Sequence, residues 1–204
     1  MSTTGDSAQT VSGPTESGKE CANWQALLER IPYAQHLGLE VQRGDVGVLV
    51  HLPCREALIG NFMLPALHGG VLGALIELTA RVAAQSQDAE TRCPRILDSH
   101  INYLRSAKAR STFARADIIR QGRRTSLVQV TCWQGDDKKP IATGQVQLLL
   151  PTDSVNAASF NNDAVIQNSE ITNIPDDFMG LDIGPKSITL FSKVILDSKT
   201  IIWN

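Results

Sequence analysis

The sequence predicts an α+β fold in which an antiparallel sheet wraps around one long central helix. An apolar stretch with helical periodicity runs from about Gly69 to Gln87. After Pro94 the pattern changes period, and four segments follow that read as strands, separated by short turns. Strands joined by short turns favour antiparallel pairing, and an apolar helix of this length must be buried against the sheet.

The remaining elements follow from periodicity and from the positions of Pro and Gly. The predicted elements in chain order are a helix at 24–31 ended by Pro32, hairpin strands at 39–43 and 46–53, a loop at 54–67, the long helix at 69–87, and strands at 95–105, 111–120, 125–133 and 140–150. Turns are expected at Gly44-Asp45, Gly122 and Gly135-Asp136.

Composition excludes several classes of function. The chain has 204 residues, 42% of them hydrophobic, and a formal net charge of −2, which gives no reason to expect nucleic acid or an anionic membrane as partner. It contains no run of about 18 apolar residues, so no membrane span is expected. The four cysteines are widely spaced without a Cys-x-x-Cys pair, which argues against a zinc site and for a reduced, cytoplasmic protein.

The long helix carries one carboxylate, two turns after a His68-Gly69-Gly70 step. Such a step places free backbone N–H groups at a helix start, where they can polarise a carbonyl. At 100° per residue, Glu77 falls on a face of small residues, which would let a ligand or a second subunit approach closely. From spacing alone an alternative stays open: Glu77 and Arg81 form an exposed pair, the glycines a tight turn, and His68 is structural.

The stretch 67–80 resembles the signature of the hotdog-fold acyl-CoA thioesterases, in the branch that includes the phenylacetate-pathway thioesterases. That signature is His-Gly-Gly with an Asp or Glu nine positions after the His, the position that Glu77 occupies. Ile101–Arg105 resembles the family's central strand, and Gln121–Arg124 resembles the turn that follows it. The element order agrees as well, and the resemblance covers about residues 30–150.

The resemblance implies a role for each matching residue in the hydrolysis of an acyl-CoA thioester to a free carboxylic acid and coenzyme A. Gly69 and Gly70 would offer backbone N–H groups to the thioester carbonyl, aided by the positive end of the helix. Glu77 would be the general base for water or the nucleophile. His68 would orient the turn or hydrogen-bond near the carbonyl.

Further expectations follow from the same resemblance. Related enzymes carry an Asn six positions before the His; here that position is Phe62, and Asn61, one residue earlier, is the candidate. Family sites are built across a dimer, so a homodimer or a dimer of dimers is expected. Coenzyme A is part of the substrate, and no cofactor or metal is expected beside it.

The turn Gly122-Arg123-Arg124 is the candidate for substrate binding, since guanidinium groups pair well with the phosphates of coenzyme A. The alternative is that these charges are solvated turn residues. Further basic groups near another strand end are Arg105, Lys108 and Arg110.

Two other functions compete with hydrolysis. A non-catalytic, acyl-CoA-binding hotdog domain would bind the thioester without cleaving it. A hotdog dehydratase or hydratase usually carries an Asp-His pair in its own motif, and the sequence has no such pair. A regulator is disfavoured because no DNA-binding helix-turn-helix precedes the domain.

The chain changes character near residue 150. Residues 1–150 hold 12 Arg and 4 Lys against 14 acidic residues, whereas residues 151–204 hold 3 Lys, no Arg and 7 acidic residues. The first 20 residues are rich in Ser, Thr and Gly and predict a disordered lead-in at 1–21. The change near 150 divides the rest into a hotdog thioesterase domain at 22–150 and a foreign segment at 151–204.

The foreign segment resembles an internal piece of phosphoglycerate kinase. The resemblance is carried by Leu150–Val155, Phe160–Ala164 and Ile174–Ser187, and by Thr200–Asn204, which resembles the strand before that family's Trp-Asn-Gly-Pro nucleotide loop. We expect no kinase activity, since phosphoryl transfer depends on a complete site. We interpret the join as a fused or mis-joined reading frame, with a genuine extension as the alternative. Residues 187–198 have helical spacing and predict a local helix.

Overall fold

The computed structural model describes residues 16–201, except for 44–46, 62 and 64. Its helices are α1 (Glu16–Glu29), α2 (Pro32–Leu37), α3 (Gly69–Ser86) and α4 (Pro185–Asp197), with one 3₁₀ turn at Glu56–Leu58. Its strands are β1 (Glu40–Arg43), β2 (Val48–Leu52), β3 (Ile59–Asn61), β4 (Ala66–Leu67), β5 (Arg95–Tyr103), β6 (Thr112–Gln121), β7 (Thr125–Trp133), β8 (Ala142–Leu149), β9 (Asp153–Ala157), β10 (Ile166–Glu170) and β11 (Met179–Ile183).

The main sheet confirms the predicted α+β fold. It has six strands in the order β1-β2-β6-β7-β8-β5, and every neighbouring pair is antiparallel. Helix α3 packs against β2, β5, β6, β7 and β8, so the sheet curves around it. Side chains on β7 alternate between buried and half-buried, because successive residues of a strand point to opposite faces.

Helix α3 is buried on most of its circumference. Leu75, Ile76 and Ala80 are fully buried within the core. At one point the helix approaches the sheet too closely for a side chain, since a Cβ on Gly144 of β8 would lie 2.5 Å from Cγ2 of Ile76. Glycine is therefore required at 144 for the helix to reach this depth.

The structure differs from the predictions before α3. Pro32 begins helix α2 instead of ending the preceding helix, which already ends at Glu29. Proline fits there because the first turn of a helix needs no N–H donor from it. The stretch 54–67, predicted as a loop, contains the 3₁₀ turn and the β3–β4 pair.

The predicted lead-in and the predicted hairpin turn lie partly or wholly outside the residues that the structure describes. Helix α1 begins at Glu16, whereas a disordered segment was predicted up to residue 21; residues 1–15 lie outside the described part. The hairpin of β1 and β2 is confirmed, while its predicted turn at Gly44-Asp45 also lies outside the described residues.

Residues after 150 form a second, smaller layer. Strands β10, β9 and β11 make a three-stranded antiparallel sheet, and α4 packs against β9. The predicted helix at 187–198 is confirmed, with observed bounds of Pro185–Asp197. Its start is capped by Asp153, whose carboxylate oxygens accept from the backbone N–H groups of Lys186 and Ser187, both at 2.8 Å.

One arginine of the first layer contacts the second, and another contacts the residue just before it. Arg92 binds Asp88 through both carboxylate oxygens and donates to the carbonyl of Leu150 at 3.2 Å. Arg95, the first residue of β5, donates to the carbonyl of Gly180 at 3.0 Å. Arg95 therefore ties the segment after residue 150 to the start of β5, while Arg92, in the loop after α3, fixes Leu150 just before that segment.

Candidate active site

The His68-Gly69-Gly70 step forms the start of α3. His68 has an extended backbone and is the N-cap residue, and its ring Nδ1 accepts from the N–H of Gly70 at 3.0 Å. Its own N–H donates to the carbonyl of Leu58 at 3.0 Å. Strand β3 crosses His68 so closely that a Cβ on Gly60 would lie 2.8 Å from its Cα. The turn is thus fixed by the short β3–β4 segment that the sequence did not predict.

The peptide group between Gly69 and Gly70 is held at both ends. Its N–H donates to His68, and its carbonyl accepts from the hydroxyl of Tyr103 at 3.0 Å. The N–H of Gly69 has no acceptor among the described residues. Of the two N–H groups proposed for a substrate carbonyl, Gly69 therefore keeps its donor free, while that of Gly70 is occupied by the cap.

Glu77 lies half-buried on α3 and is hydrogen-bonded to the sheet. The hydroxyl of Ser99 on β5 donates to its Oε1 at 2.7 Å. Among the described residues Glu77 makes no ion pair with Arg81, whose Nη2 instead donates to Sγ of Cys93 at 3.3 Å. The alternative of an exposed surface pair is therefore wrong.

The face of α3 that carries Glu77 runs along β5 in successive steps. Tyr103 contacts Gly69, and Cδ1 of Ile101 would lie 3.4 Å from a Cβ on Gly73. Ser99 then contacts Glu77. These residues are spaced by four on the helix and by two on the strand, so they share one face of each. The small-residue face accommodates β5 of the same chain at Gly73, where a second subunit or ligand was expected.

Gly69 and Glu77 do not meet within one chain. They are eight residues apart on the same helix, which places their Cα atoms about 12 Å apart at 1.5 Å per residue. A water bound to Glu77 cannot attack a carbonyl that is polarised by Gly69 of the same chain. Asn61 ends β3, opposite Ala66, and its side chain lies outside the described part of the structure.

The predicted substrate-binding turn lies at the far end of the sheet. Gly122 closes the β6–β7 turn by donating to the carbonyl of Thr125 at 2.9 Å. Arg123 and Arg124 line a cleft of about 490 Å³ with Lys193 of α4. This is the Arg95 end of β5, roughly 25 Å along the strand from Tyr103 and Gly69. One chain therefore does not bring these arginines to the His68 turn.

A different basic cluster lies at the His68 end. Lys108 pairs with Ala66, next to the turn itself. It lines a cleft of about 380 Å³ together with Arg105, Arg110 and Lys139. Three of these residues, Arg105, Lys108 and Arg110, were predicted from the sequence to lie near a strand end. Their closeness to the His68 turn depends on the β4 contact and could not be read from spacing.

Two further features of the described residues concern reactive groups, namely metal clusters and the buried thiol of Cys132. They contain no group of three or more His, Cys, Asp or Glu side chains placed to hold a metal ion. Burial raises the pKa of the Cys132 thiol to about 12, so it is not a nucleophile. No helix within the described ranges is long and apolar enough to cross a membrane.

Comparison with known proteins divides the chain into two parts. Residues 64–141 match the family model described as Thioesterase superfamily. Residues 134–204 match the model described as Phosphoglycerate kinase. The second match begins well before the expected boundary at 150 and includes β8, although β8 pairs within the main sheet.

Solved structures share the architecture of the first part. A conserved protein of Pseudomonas aeruginosa is 30% identical, with a TM-score of 0.52, over 58% of this chain and 92% of that chain. A thioesterase from Haemophilus influenzae is 25% identical, with a TM-score of 0.57, over 63% of this chain and 88% of that one. A phenylacetic acid degradation-related protein from Ralstonia eutropha has the same fold at 21% identity and a TM-score of 0.54, over 62% and 98% of the two chains. The first part of the chain has the hotdog fold.

The second part is similar to phosphoglycerate kinases. The enzyme of Porphyromonas gingivalis is 52% identical over 69 residues, which are 34% of this chain and 16% of that protein. The enzyme of Thermosynechococcus vestitus is 58% identical over 59 residues, which are 29% and 15% of the two chains. The chain therefore spans about a sixth of the length of the phosphoglycerate kinases that it matches.

Proposed function

We propose that the hotdog part hydrolyses acyl-CoA thioesters to a carboxylic acid and free coenzyme A. In this reaction Glu77 takes a proton from water as the water oxygen attacks the thioester carbon. The N–H of Gly69 stabilises the oxyanion that forms, helped by the positive end of α3. The C–S bond then breaks, and Glu77 returns its proton to the departing thiolate.

The observation that carries this proposal is that one helix presents both a half-buried carboxylate, Glu77, and a free backbone N–H group, that of Gly69. Ser99 orients the Glu77 carboxylate through its hydroxyl. Tyr103 and His68 fix the peptide that follows the Gly69 donor. Both functional groups are thereby preorganised, which is the main source of rate in acyl transfer. A direct attack by Glu77, forming a covalent anhydride, uses the same groups.

The separation of Gly69 and Glu77 requires a second copy of the chain. A single acyl carbon cannot contact both groups of one helix, about 12 Å apart. Strand β5 is at the edge of the main sheet, and Leu97, Tyr103 and Leu104 on or beside it are each at least half exposed. An open edge of this kind favours pairing with another strand. We therefore propose a homodimer in which Glu77 of one copy faces Gly69 of the other.

Coenzyme A offers phosphates that either basic site can bind. Arg123 and Arg124 remain the first candidates, because both line an open cleft beside Lys193. Lys108 and its neighbours lie closer to the His68 turn. Replacing the basic residues of each site by Glu, one site at a time, shows which site binds phosphate. The variant at that site should raise KM for acyl-CoA and leave kcat near its original value.

The proposal is tested by measuring release of free coenzyme A from short, long and aromatic acyl-CoAs. Glu77→Gln keeps the size and the hydrogen bond of the side chain but not its basicity, so we expect kcat to fall by about 10²- to 10⁴-fold. Ser99→Ala should lower kcat by about 10-fold, because a hydrogen bond to a charged group orients Glu77. Ser99→Thr keeps the hydroxyl and is the matched control.

Two outcomes would overturn this function. Full activity of Glu77→Gln would remove Glu77 from the reaction. Saturable binding of acyl-CoAs without any hydrolysis over the whole panel would favour the alternative of a non-catalytic acyl-CoA-binding domain.

A further inference from the structure

A cleft of about 500 Å³ lies where the hotdog part meets the segment after residue 150. Leu27 and Ile31 form one wall, near the end of α1 and the start of α2. Ile174 and Phe178, from the connection between β10 and β11, form the opposite wall. All four are half-buried, and the volume lies within the range of small-molecule sites. The walls suit the apolar body of a ligand.

Arg81 of α3 lines the same cleft and has an unsatisfied donor. Its Nε is buried and has no hydrogen-bond partner, while its Nη2 donates to Cys93 at 3.3 Å. A buried N–H of a charged group without an acceptor is costly, so a native structure is expected to provide one. The described residues therefore leave hydrogen-bonding capacity of Arg81 unused, and Arg81 lines the cleft.

The charges around the cleft favour an anion. Arg30 lines it as a second guanidinium and donates only weakly, at 3.4 Å, to the carbonyl of Thr172. Asp176 is exposed on the opposite wall and carries the one carboxylate among the residues that line the cleft. Two guanidinium groups against one carboxylate leave a net attraction for a single carboxylate, which guanidinium groups bind with two parallel hydrogen bonds.

We propose that this cleft binds a monocarboxylate with an apolar body, such as a medium-chain or aromatic acid. The carboxylate is held by Arg81 with support from Arg30, and the apolar body lies between Ile31 and Phe178. Because Ile174 and Phe178 come from the phosphoglycerate kinase-like segment, the site exists only where the two parts of the chain meet. It is separate from the hydrolytic groups and does not require them to be active.

The experiment measures binding of octanoate to the full chain by titration calorimetry, with octanamide as the uncharged probe. Arg81→Met keeps the apolar stem of the side chain and removes the guanidinium, and we expect about 10-fold weaker binding of octanoate. Asp176→Asn removes the opposing charge from an exposed position and should tighten binding by about 2-fold. Arg120→Met replaces an exposed arginine outside the cleft and is the matched control. It should change neither the affinity for octanoate nor that for octanamide.

Opposite shifts in Arg81→Met and Asp176→Asn, with octanamide bound more weakly than octanoate, support the proposal. Equal affinity for octanoate in the original chain and in Arg81→Met would overturn it, as would no binding by the original chain. Glu77→Gln should bind octanoate as the original chain does. Octanoate affinity that changes in Glu77→Gln and is unaffected by Asp176→Asn would place the acid in the hydrolytic site and overturn the proposal for the cleft.

Discussion

At the scale of single residues, the proposed chemistry depends on which backbone donors are already in use. His68 and Tyr103 hold the N–H and the carbonyl of one peptide group, so the donor that remains is the N–H of Gly69. The sequence pattern alone offered Gly69 and Gly70 as equals. The difference between them arises from the imidazole orientation at the N-cap, which no spacing rule contains.

Gly69→Pro tests this donor without disturbing the helix. Gly69 is the first helical residue, where proline is well tolerated, and the extended backbone of His68 suits a residue before proline. A Cβ at 69 would lie 3.6 Å from the Tyr103 ring, an ordinary contact. We expect kcat for acyl-CoA hydrolysis to fall by about 10²-fold, since one oxyanion donor is lost.

The matched control is Gly69→Ala, which keeps the N–H and should keep most of the activity. Circular dichroism of both variants should match the original chain. Unchanged kcat in a folded Gly69→Pro protein would show that this N–H does not contact the reacting carbonyl.

At the scale of elements, the depth of α3 within the sheet is set by Gly144. A methyl group at this position would lie 2.5 Å from Cγ2 of fully buried Ile76. Gly144→Ala should therefore destabilise the hotdog part by about 1–3 kcal/mol through overpacking. Denaturant unfolding measures this loss.

A compensating variant checks the cause. Ile76→Ala removes Cγ2, the atom that a Cβ at 144 would meet, so the double variant should lose less stability than the two single variants together. Additive losses would show that the two residues do not compete for the same space.

The cap of α4 gives a prediction with a pH signature. Burial alone would raise the pKa of Asp153, but hydrogen bonds from the Ser187 hydroxyl and from the backbone N–H groups of Lys186 and Ser187 hold it below its ordinary value of 3.8. The charged form is thus the one that the fold stabilises. Its contribution is present above the ordinary pKa and is lost as the pH falls through the lowered pKa of the folded state.

Asp153→Asn removes the negative charge at the helix start and one of the two accepting oxygens, so it should lower the free energy of unfolding by about 1 kcal/mol at neutral pH. The two proteins should converge as the pH falls below 3.8, when the carboxyl group of the original chain takes up its proton. Circular dichroism followed during denaturant unfolding at several pH values measures both. A gap that stays constant down to the lowest pH would contradict the role of the charge.

The elements also show what the sequence could predict. The bounds of β7 were predicted correctly, and those of α3 to within one residue, because each has strong periodicity. The β3–β4 pair was missed, because three-residue and two-residue strands carry no periodic signal. Ser99 was missed as the partner of Glu77, because that contact depends on how α3 lies over β5.

At the scale of the whole molecule, segments similar to two different families share one packed structure. The match to phosphoglycerate kinase begins at residue 134 and includes β8, which lies between β7 and β5 in the main sheet. Arg95 then ties the segment after residue 150 to the hotdog part. The proposed carboxylate cleft follows from this join, whereas the hydrolytic groups all belong to the hotdog part.

The central claim is that Glu77 of one copy and Gly69 of another act on the same thioester. Mixing equal amounts of Glu77→Gln and Gly69→Pro proteins, after dissociation and reassembly, tests it directly through release of coenzyme A. Each mixed dimer has one site with both original groups, and half of the dimers are mixed, so about a quarter of the original rate should return. A mixture as inactive as either variant alone would contradict a site shared between two copies.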